Sequence, residues 1–314
     1  MAVKTPFSAE ELKDILLHYE IGEYRSHTDF EKGADQTNIL LVTSKGKYAF
    51  RYYEKRSSEY VSFEIDLLQC LMAGNYPCPA PIKNISGDYM GAYKAKPYAL
   101  FTFLEGEHND NDENYKEVAK SIGELHAITN GYKPVNSESR DGYNAASSWT
   151  YATKNAKKIT PQTEAVARLA WLRSELDTLQ LPITMPKGAI HGDTNPSNFL
   201  YKDGRISAVL DFDQAAYTYL IYDIANLLLW WAWPNKDELS FEKAKTIIAE
   251  YEKCRKLTQP EKRHLFDMLK MTILMSVSWF FHQDEDYLND KRKIELLNDI
   301  GRDRFYDLLD AKVD

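Results

Sequence analysis

The chain is short of several things. Its three cysteines, Cys70, Cys78 and Cys254, are an odd number without metal-like spacing, so neither a disulfide framework nor a zinc site is expected; reduced thiols in the cytoplasm are the default. No apolar run approaches the ~18 residues a bilayer crossing needs, so no membrane partner is expected. The first twenty residues lack a basic, then apolar, then small-residue pattern, and no signal peptide is expected. Positive charge is in deficit: 39 Lys and Arg stand against 47 Asp and Glu, a formal charge of −8. This argues against nucleic acid as a partner, because phosphate backbones are bound by surplus Lys and Arg. It permits a cationic ligand, although most such charge serves solubility. There is no internal repeat and no low-complexity segment. At 314 residues the chain exceeds one ordinary core and points to two lobes.

What is present is concentrated in residues 191–213, HGDTNPSNFLYKDGRISAVLDFD. Asn198 follows Asp193 by five residues, and Asp211 follows it by eighteen, directly after the apolar run Ala208-Val209-Leu210. Residues 199–201 and 206–210 read as short strands, with Lys202-Asp203-Gly204-Arg205 as the hairpin turn. A hairpin returns the chain to its start, so Asn198 and Asp211 are expected side by side with Asp193 in the preceding loop. Phosphoryl transfer uses such parts: a carboxylate that accepts a hydroxyl proton, and an amide oxygen and second carboxylate that hold Mg²⁺ against nucleotide phosphates. Asp or Asn alone in a loop is usually turn chemistry. The conjunction of the HGD triplet, the Asn, the hairpin and the second Asp carries the functional reading.

HGDTNPSNFLY, VLDFDQA and YDIANLLLWW together resemble the aminoglycoside phosphotransferase and choline kinase group, and within it most closely the type II homoserine kinases. The segments TNILLVTSKGKYAFRYYEKRS, FEIDLLQCLMAGNYPCPAPI and KPYALFTFLEGE follow the same pattern in order, so the resemblance covers most of residues 20–235. It implies an α+β, bilobal, protein-kinase-like fold. Residues 1–103 would form a nucleotide-binding lobe with an antiparallel sheet, and 104–314 a larger, mainly helical catalytic and substrate lobe. It also implies ATP and Mg²⁺ as cofactors and a small molecule with a hydroxyl as substrate, with homoserine or a related amino alcohol first. Aminoglycoside or choline kinases are the alternative, as is a nucleotide-binding module without catalysis. An extended activation segment ending in Ala-Pro-Glu is absent, which argues against a protein kinase.

The N-terminal part adds residues. Ser8 with Glu11 three positions on reads as a capping box for a helix over 9–19. Residues 38–42 and 48–52 read as strands around a turn at 43–47. The segment 30–37 occupies the place of a phosphate-covering loop, but Gly33 is its only glycine, and a plain hairpin turn fits equally well. Strand alternation places Ala49, Arg51 and Tyr53 on one face. Arg51 matches the position at which the family holds nucleotide phosphates; by itself it could be a solvated strand arginine. A helix over 57–73, ended by Gly74, carries Val61, Ile65, Leu68 and Met72 as an apolar stripe, and Glu64 shares its buried side. A buried carboxylate needs a cation, and Arg51 is the topological candidate; Glu59 is the alternative acid. The resemblance makes 98–104 the connector between lobes, with the backbone of Thr102 and Leu104 toward an adenine edge.

In the remainder, helices are expected over 113–129, 162–180, 223–231, 238–253, 259–281 and 284–309. His126 is read as a packed core histidine, and Met268, Met271, Leu274, Met275 and Phe281 as core. Residues 130–160 are read as irregular, either a substrate-side insertion or a surface loop. His191 is either a general acid or, as the resemblance implies and as is favoured here, a brace for the loop that carries Asp193; by resemblance Asp223 braces the same loop. Asp213 is read as a further metal or substrate contact, and Trp230, Trp231 and Trp233 as candidates for an aromatic wall for a cation, with packing the expected job of at least two of them.

Overall fold

The computed structural model describes residues 4–30, 36–109, 111–235 and 238–310. The chain forms two compact units, each assembled from more than one stretch. The first comprises residues 1–108, 134–140 and 199–213; the second comprises 109–133, 141–198 and 214–314. In chain order the strands among the described residues are β1 (Tyr24–Asp29), β2 (Thr37–Thr43), β3 (Gly46–Tyr52), β4 (Met90–Tyr93), β5 (Lys96–Thr102), β6 (Lys187–Ile190), β7 (Phe199–Lys202), β8 (Arg205–Val209) and β9 (Ala216–Tyr219).

The first unit is built on an antiparallel sheet of order β1-β2-β3-β5-β4. Alternation along the strands decides its two faces. Ile39 and Leu41, Phe50 and Tyr52, and Tyr98 and Leu100 turn to one side and form a core with α1 (Ala9–Leu16), which contributes Leu12, Ile15 and Leu16. The expected capping box opens α1: Ser8 accepts from the Glu11 N–H while the Glu11 side chain accepts from the Ser8 N–H. The out-of-phase residues include Arg51, which reaches α2 (Ser58–Ala73). Within α2, Val61, Ile65 and Leu68 are buried as expected, joined by Phe63, Leu67 and Leu71. Met72 does not join them and is 40% exposed, because the buried side of α2 is rotated toward Leu67 and Leu71 at its C-terminal end.

The hairpin β7–β8 belongs to this unit, with Phe199 opposite Val209. Its two-residue turn, Asp203-Gly204, has positive φ at both positions (51° and 75°), the geometry that matches strand twist in tight hairpins. Backbone bonds tie it to the unit: Val209 N–H donates to Pro77 O at 2.7 Å, and Glu107 and Tyr201 exchange bonds at 2.9 Å.

The second unit is mainly helical. It contains α3 (Tyr115–Thr129), α4 (Ala145–Ala156), α5 (Gln162–Leu176), α6 (Ile221–Leu227), α7 (Phe241–Tyr251), α8 (Gln259–Arg263), α9 (Leu265–Trp279), α10 (Asp284–Ile300) and α11 (Arg302–Leu308), plus the antiparallel pair β6–β9. The helix α9 is its axis; Met268, Met271, Leu274 and Met275 are all buried in the core, as is Phe281 just beyond. Two expected long helices are each broken: 259–281 at His264, and 284–309 at Gly301, where φ is 71°. The segment read as irregular holds α4, whose Ser148, Ala152 and Ala156 are buried; Ser148 bonds Ser278 of α9 at 2.6 Å. Its low apolar content hid the helix, because small and polar residues make the α4–α9 contact. Among the described residues no helix is long and apolar enough to cross a membrane.

Candidate active site

The site residues are arranged in two clusters, one in each unit. In the second unit, β6 ends at Ile190 and the chain enters the loop 191–198. Asp223, near the start of α6 and fully buried, anchors it: its Oδ2 accepts from the His191 N–H at 2.7 Å and its Oδ1 from the Gly192 N–H at 2.9 Å. His126 of α3 bonds the same Oδ2 through Nε2 at 3.1 Å. Burial pushes the Asp223 carboxyl up, but the hydrogen bond with His126, together with His191 and the Gly192 N–H, outweighs it and holds the group below the usual carboxylate range. Asn226, one helical turn on, accepts from both the N–H and the hydroxyl of Thr194 at 2.7 Å, and Trp231 donates to Thr194 O at 2.9 Å.

Gly192 can be nothing larger. Its φ is 81°, and an added Cβ would sit 2.3 Å from Gln214 O. His191 is fully buried and its Nδ1 accepts from the Asp193 N–H at 3.3 Å. The loop so held presents Asp193, partly exposed, with Asn198 beside it: Asn198 Nδ2 donates to both Asp193 O and Asp193 Oδ2 at 3.0 Å. That orientation leaves the amide oxygen of Asn198 as an acceptor.

In the first unit, Arg51 is the hub. Its Nη1 pairs with Glu64 Oε1 at 3.0 Å, its Nη2 with Asp211 Oδ1 at 3.3 Å, and its Nε donates to Asn38 Oδ1 at 2.9 Å. Glu64, rather than Glu59, is thus the acid on α2, and Tyr53 donates to its other oxygen at 3.0 Å. Burial pushes the Glu64 carboxyl up, against the opposing pull of Arg51 and Arg140. For Arg51 burial also opposes the charge, but the carboxylates of Asp211 and Glu64 prevail and hold it protonated. Asp211 follows β8 with φ 59°, a left-handed conformation uncommon for a non-glycine residue and tolerated best by Asn and Asp. Its side chain is 47% exposed.

Two sequence expectations are altered here. Asp213 was a metal or substrate contact; instead it is buried and engaged by Arg56, with Nη2 to Oδ2 at 2.5 Å and Nε to Oδ1 at 3.3 Å, and by Gln36. Of the Thr102 backbone expected to face an adenine edge, the N–H is taken, donating to Ala80 O at 2.9 Å, while Leu104 lies beyond the end of β5. Trp231 and Trp233 are packing residues, which leaves Trp230, 39% exposed, as the tryptophan open to solvent in that turn. Gly33 lies outside the described residues.

Sequence reading missed Arg140. Its Nη1 donates to Asp213 O at 2.6 Å, its Nη2 to Tyr60 O at 2.8 Å, and its guanidinium lies 3.5 Å from the Tyr60 ring centre. It sits in a polar stretch with no periodicity, so only the tertiary contact reveals it. Arg56 and Asn226 were equally silent. Among the described residues no group of three or more His, Cys, Asp or Glu is arranged to hold a metal. A site using one carboxylate and one amide oxygen would not show as such a group.

Residues 26–257 match the family model described as the phosphotransferase enzyme family. The chain belongs to that family. Like other members it is a small-molecule kinase, phosphorylating a hydroxyl. Homoserine kinase of Rhodospirillum rubrum is 32% identical over 268 residues, covering 83% of this chain and 81% of that protein. Homoserine kinase of Rhizobium meliloti is 28% identical over 268 residues, with 83% and 80% covered. Among solved structures, an amicoumacin kinase in complex with AMP-PNP, Ca²⁺ and Ami superposes with TM-score 0.72 at 19% identity, over 96% of this chain and 97% of that one. A microcompartment-associated aminopropanol kinase superposes at 0.68 and 14% identity, over 93% and 97%. The family's kinase-like α+β fold is the fold of this chain.

Proposed function

We propose that this phosphotransferase is a cytoplasmic enzyme that transfers the γ-phosphoryl group of ATP, with Mg²⁺, to the hydroxyl of homoserine or a closely related amino alcohol. The observation that carries the chemistry is the Asp193–Asn198 pair on a loop whose backbone is clamped by Asp223. Asp193 is the group that orients the acceptor hydroxyl and takes its proton. Residues 1–103 serve as the nucleotide-binding lobe and 104–314 as the catalytic and substrate lobe. Arg51, braced by Glu64, is the phosphate-binding cation; a guanidinium already held by a buried carboxylate loses little freedom when phosphate arrives. The Thr102 carbonyl and the Leu104 backbone are the candidates for the adenine edge.

The donor atoms suit a hard cation. Asp211 offers carboxylate oxygens on a half-exposed side chain, and Asn198 keeps its amide oxygen as an acceptor, so these two residues are the proposed Mg²⁺ ligands. Bound there, the ion would neutralise charge on the phosphates.

The substrate rests on the homoserine kinases that share about four-fifths of their length with this chain. A coupled assay of ATP consumption with homoserine, choline, ethanolamine, methylthioribose and several aminoglycosides tests it. Turnover with homoserine is expected. Activity confined to choline or an aminoglycoside would reject the acceptor and turn attention to half-exposed Trp230, since a cation over an aromatic face gains roughly 0.5–2 kcal/mol. Nucleotide binding with no acceptor turned over would instead support a silent module.

A further inference from the structure

A hydrogen-bonded chain runs away from the back of the catalytic loop, wholly within the second unit. It starts at the His191 and Gly192 N–H groups on Asp223 and passes to His126 Nε2. From His126 Nδ1 it continues to the Tyr251 hydroxyl of α7 at 2.8 Å. Arg255, just after α7, donates from Nη1 to that hydroxyl at 2.9 Å and from Nη2 to Glu261 Oε2 at 3.1 Å. Glu261 in turn closes the capping box of α8, accepting from the Thr258 N–H at 2.9 Å. Every side chain from Asp223 to Glu261 is buried.

With the His126 ring neutral, donor and acceptor roles follow along this chain. Arg255 can only donate, so the Tyr251 oxygen accepts from it and spends its own proton on His126 Nδ1. Burial pushes the Tyr251 hydroxyl well up, so it stays a neutral donor. With Nδ1 an acceptor, the neutral ring of His126 carries its proton on Nε2, where Asp223 accepts it. The tautomer of His126 is thus fixed from both sides, by the acceptor-only carboxylate of Asp223 and by the hydroxyl of Tyr251, and the Tyr251 bond also sets where the ring sits. A second feature shows that the approach of α7 is built in. Gly123 lies on α3 one turn before His126, and an added Cβ there would come 2.7 Å from Tyr251 O and 3.3 Å from Tyr251 Cα. A side chain at position 123 would hold the two helices apart and lengthen the His126–Tyr251 bond.

We propose that Tyr251 and Arg255 are positioning residues for phosphoryl transfer, acting through the placement of the His126 ring on Asp223 and so on the backbone of the Asp193 loop. This rests on the kinase reading above. If Tyr251 stops donating, Nδ1 of His126 is left buried without that donor and the ring is free to shift from the place where Nε2 meets Asp223. A carboxylate with a weakened His126 bond no longer holds two backbone N–H groups as firmly in place.

Tyr251→Phe tests the idea, since it removes one oxygen and keeps the ring. We expect kcat to fall about tenfold, the scale of lost outer hydrogen bonds to site residues. KM for ATP and for the acceptor should change less than twofold. In ¹⁵N-histidine spectra at pH 8 the wild-type His126 ring, assigned by the signal lost in His126→Gln, should show a single Nε2–H tautomer. In Tyr251→Phe the ring should keep its proton on Nε2 but with the Nδ1 and Nε2 signals moved, and the His191 and Gly192 amide signals should shift. Gly123→Ala should move the same signals in the same direction. Tyr306→Phe, which removes a hydroxyl bonded to Arg263 O at 2.6 Å, is the control for general loss of stability and should leave kcat and the His126 signals unchanged. Wild-type kcat in Tyr251→Phe with unchanged His126 and loop signals would overturn the proposal. Absence of turnover in the wild-type protein would remove the kinase reading alone; the His126 ring and amide signals would still decide whether α7 controls the loop.

Discussion

Removing Arg51 should leave a buried negative charge without its cation. The side chain of Glu64 is 3% exposed, and its only other hydrogen bond among those observed is from Tyr53 at 3.0 Å. Breaking a buried pair by deleting one partner costs about 3–5 kcal/mol. The Tyr53 bond persists, and half-exposed Asp211 is taken up by water, so Arg51→Met belongs at the lower end, about 3 kcal/mol or roughly 4–5 °C in Tm for a chain of this length. The loss should depend on pH. Burial already holds the Glu64 pKa above its ordinary value, and without Arg51 it rises further. The folded state then binds more protons than the unfolded one, and stability falls as pH rises through the folded pKa. Arg51→Met should therefore be hurt more at pH 8 than at pH 5.5. Glu64→Gln in the same chain removes the stranded charge, so the double variant should regain at least half of the loss. Thermal melts of the four proteins at both pH values, without nucleotide, measure this. A loss below about 1 kcal/mol with no pH dependence would refute the claim that Glu64 is a charge held by Arg51.

Two further outcomes bear on the chemistry. Asp193→Asn keeps the shape of the loop and should retain nucleotide affinity while lowering kcat by ~10²–10⁴-fold, the range for loss of a general base; near-normal turnover would end that assignment. Asp211→Asn preserves a side chain that tolerates the φ of 59° but removes its charge, so the half-saturating Mg²⁺ concentration should rise at least ~10-fold, read by calorimetry with a non-hydrolysable nucleotide; an unchanged metal requirement would place the ligand elsewhere.

Local chemistry made much of this protein legible in one dimension. Ser8 and Glu11 announce a helix start because a capping box is complete within four residues. Asp203-Gly204 announces a hairpin because the turn demands positive φ at both positions. Alternation over residues 49–53 put Arg51 and Tyr53 on one face, and helical phase put Glu64 on the buried side of α2; burial then demanded a cation for it. These are rules of short range, and a sequence carries short range intact.

What the sequence could not carry is where polar side chains far apart in the chain spend their hydrogen bonds. Asp213 looked like a spare carboxylate until folding brought Arg56 and Gln36 to it, from 157 and 177 residues away. Thr102 had an N–H to offer until Ala80 took it. Arg140 and the links from Asp223 through His126 to Tyr251 have no periodicity and no motif, because each joins residues on different elements. The contiguous stretch 191–213 is itself divided, its loop in one unit and its hairpin in the other. Motif and spacing name the reacting groups, since chemistry dictates residue type. Which of those groups stay available is decided only when burial forces every remaining polar atom to find a partner.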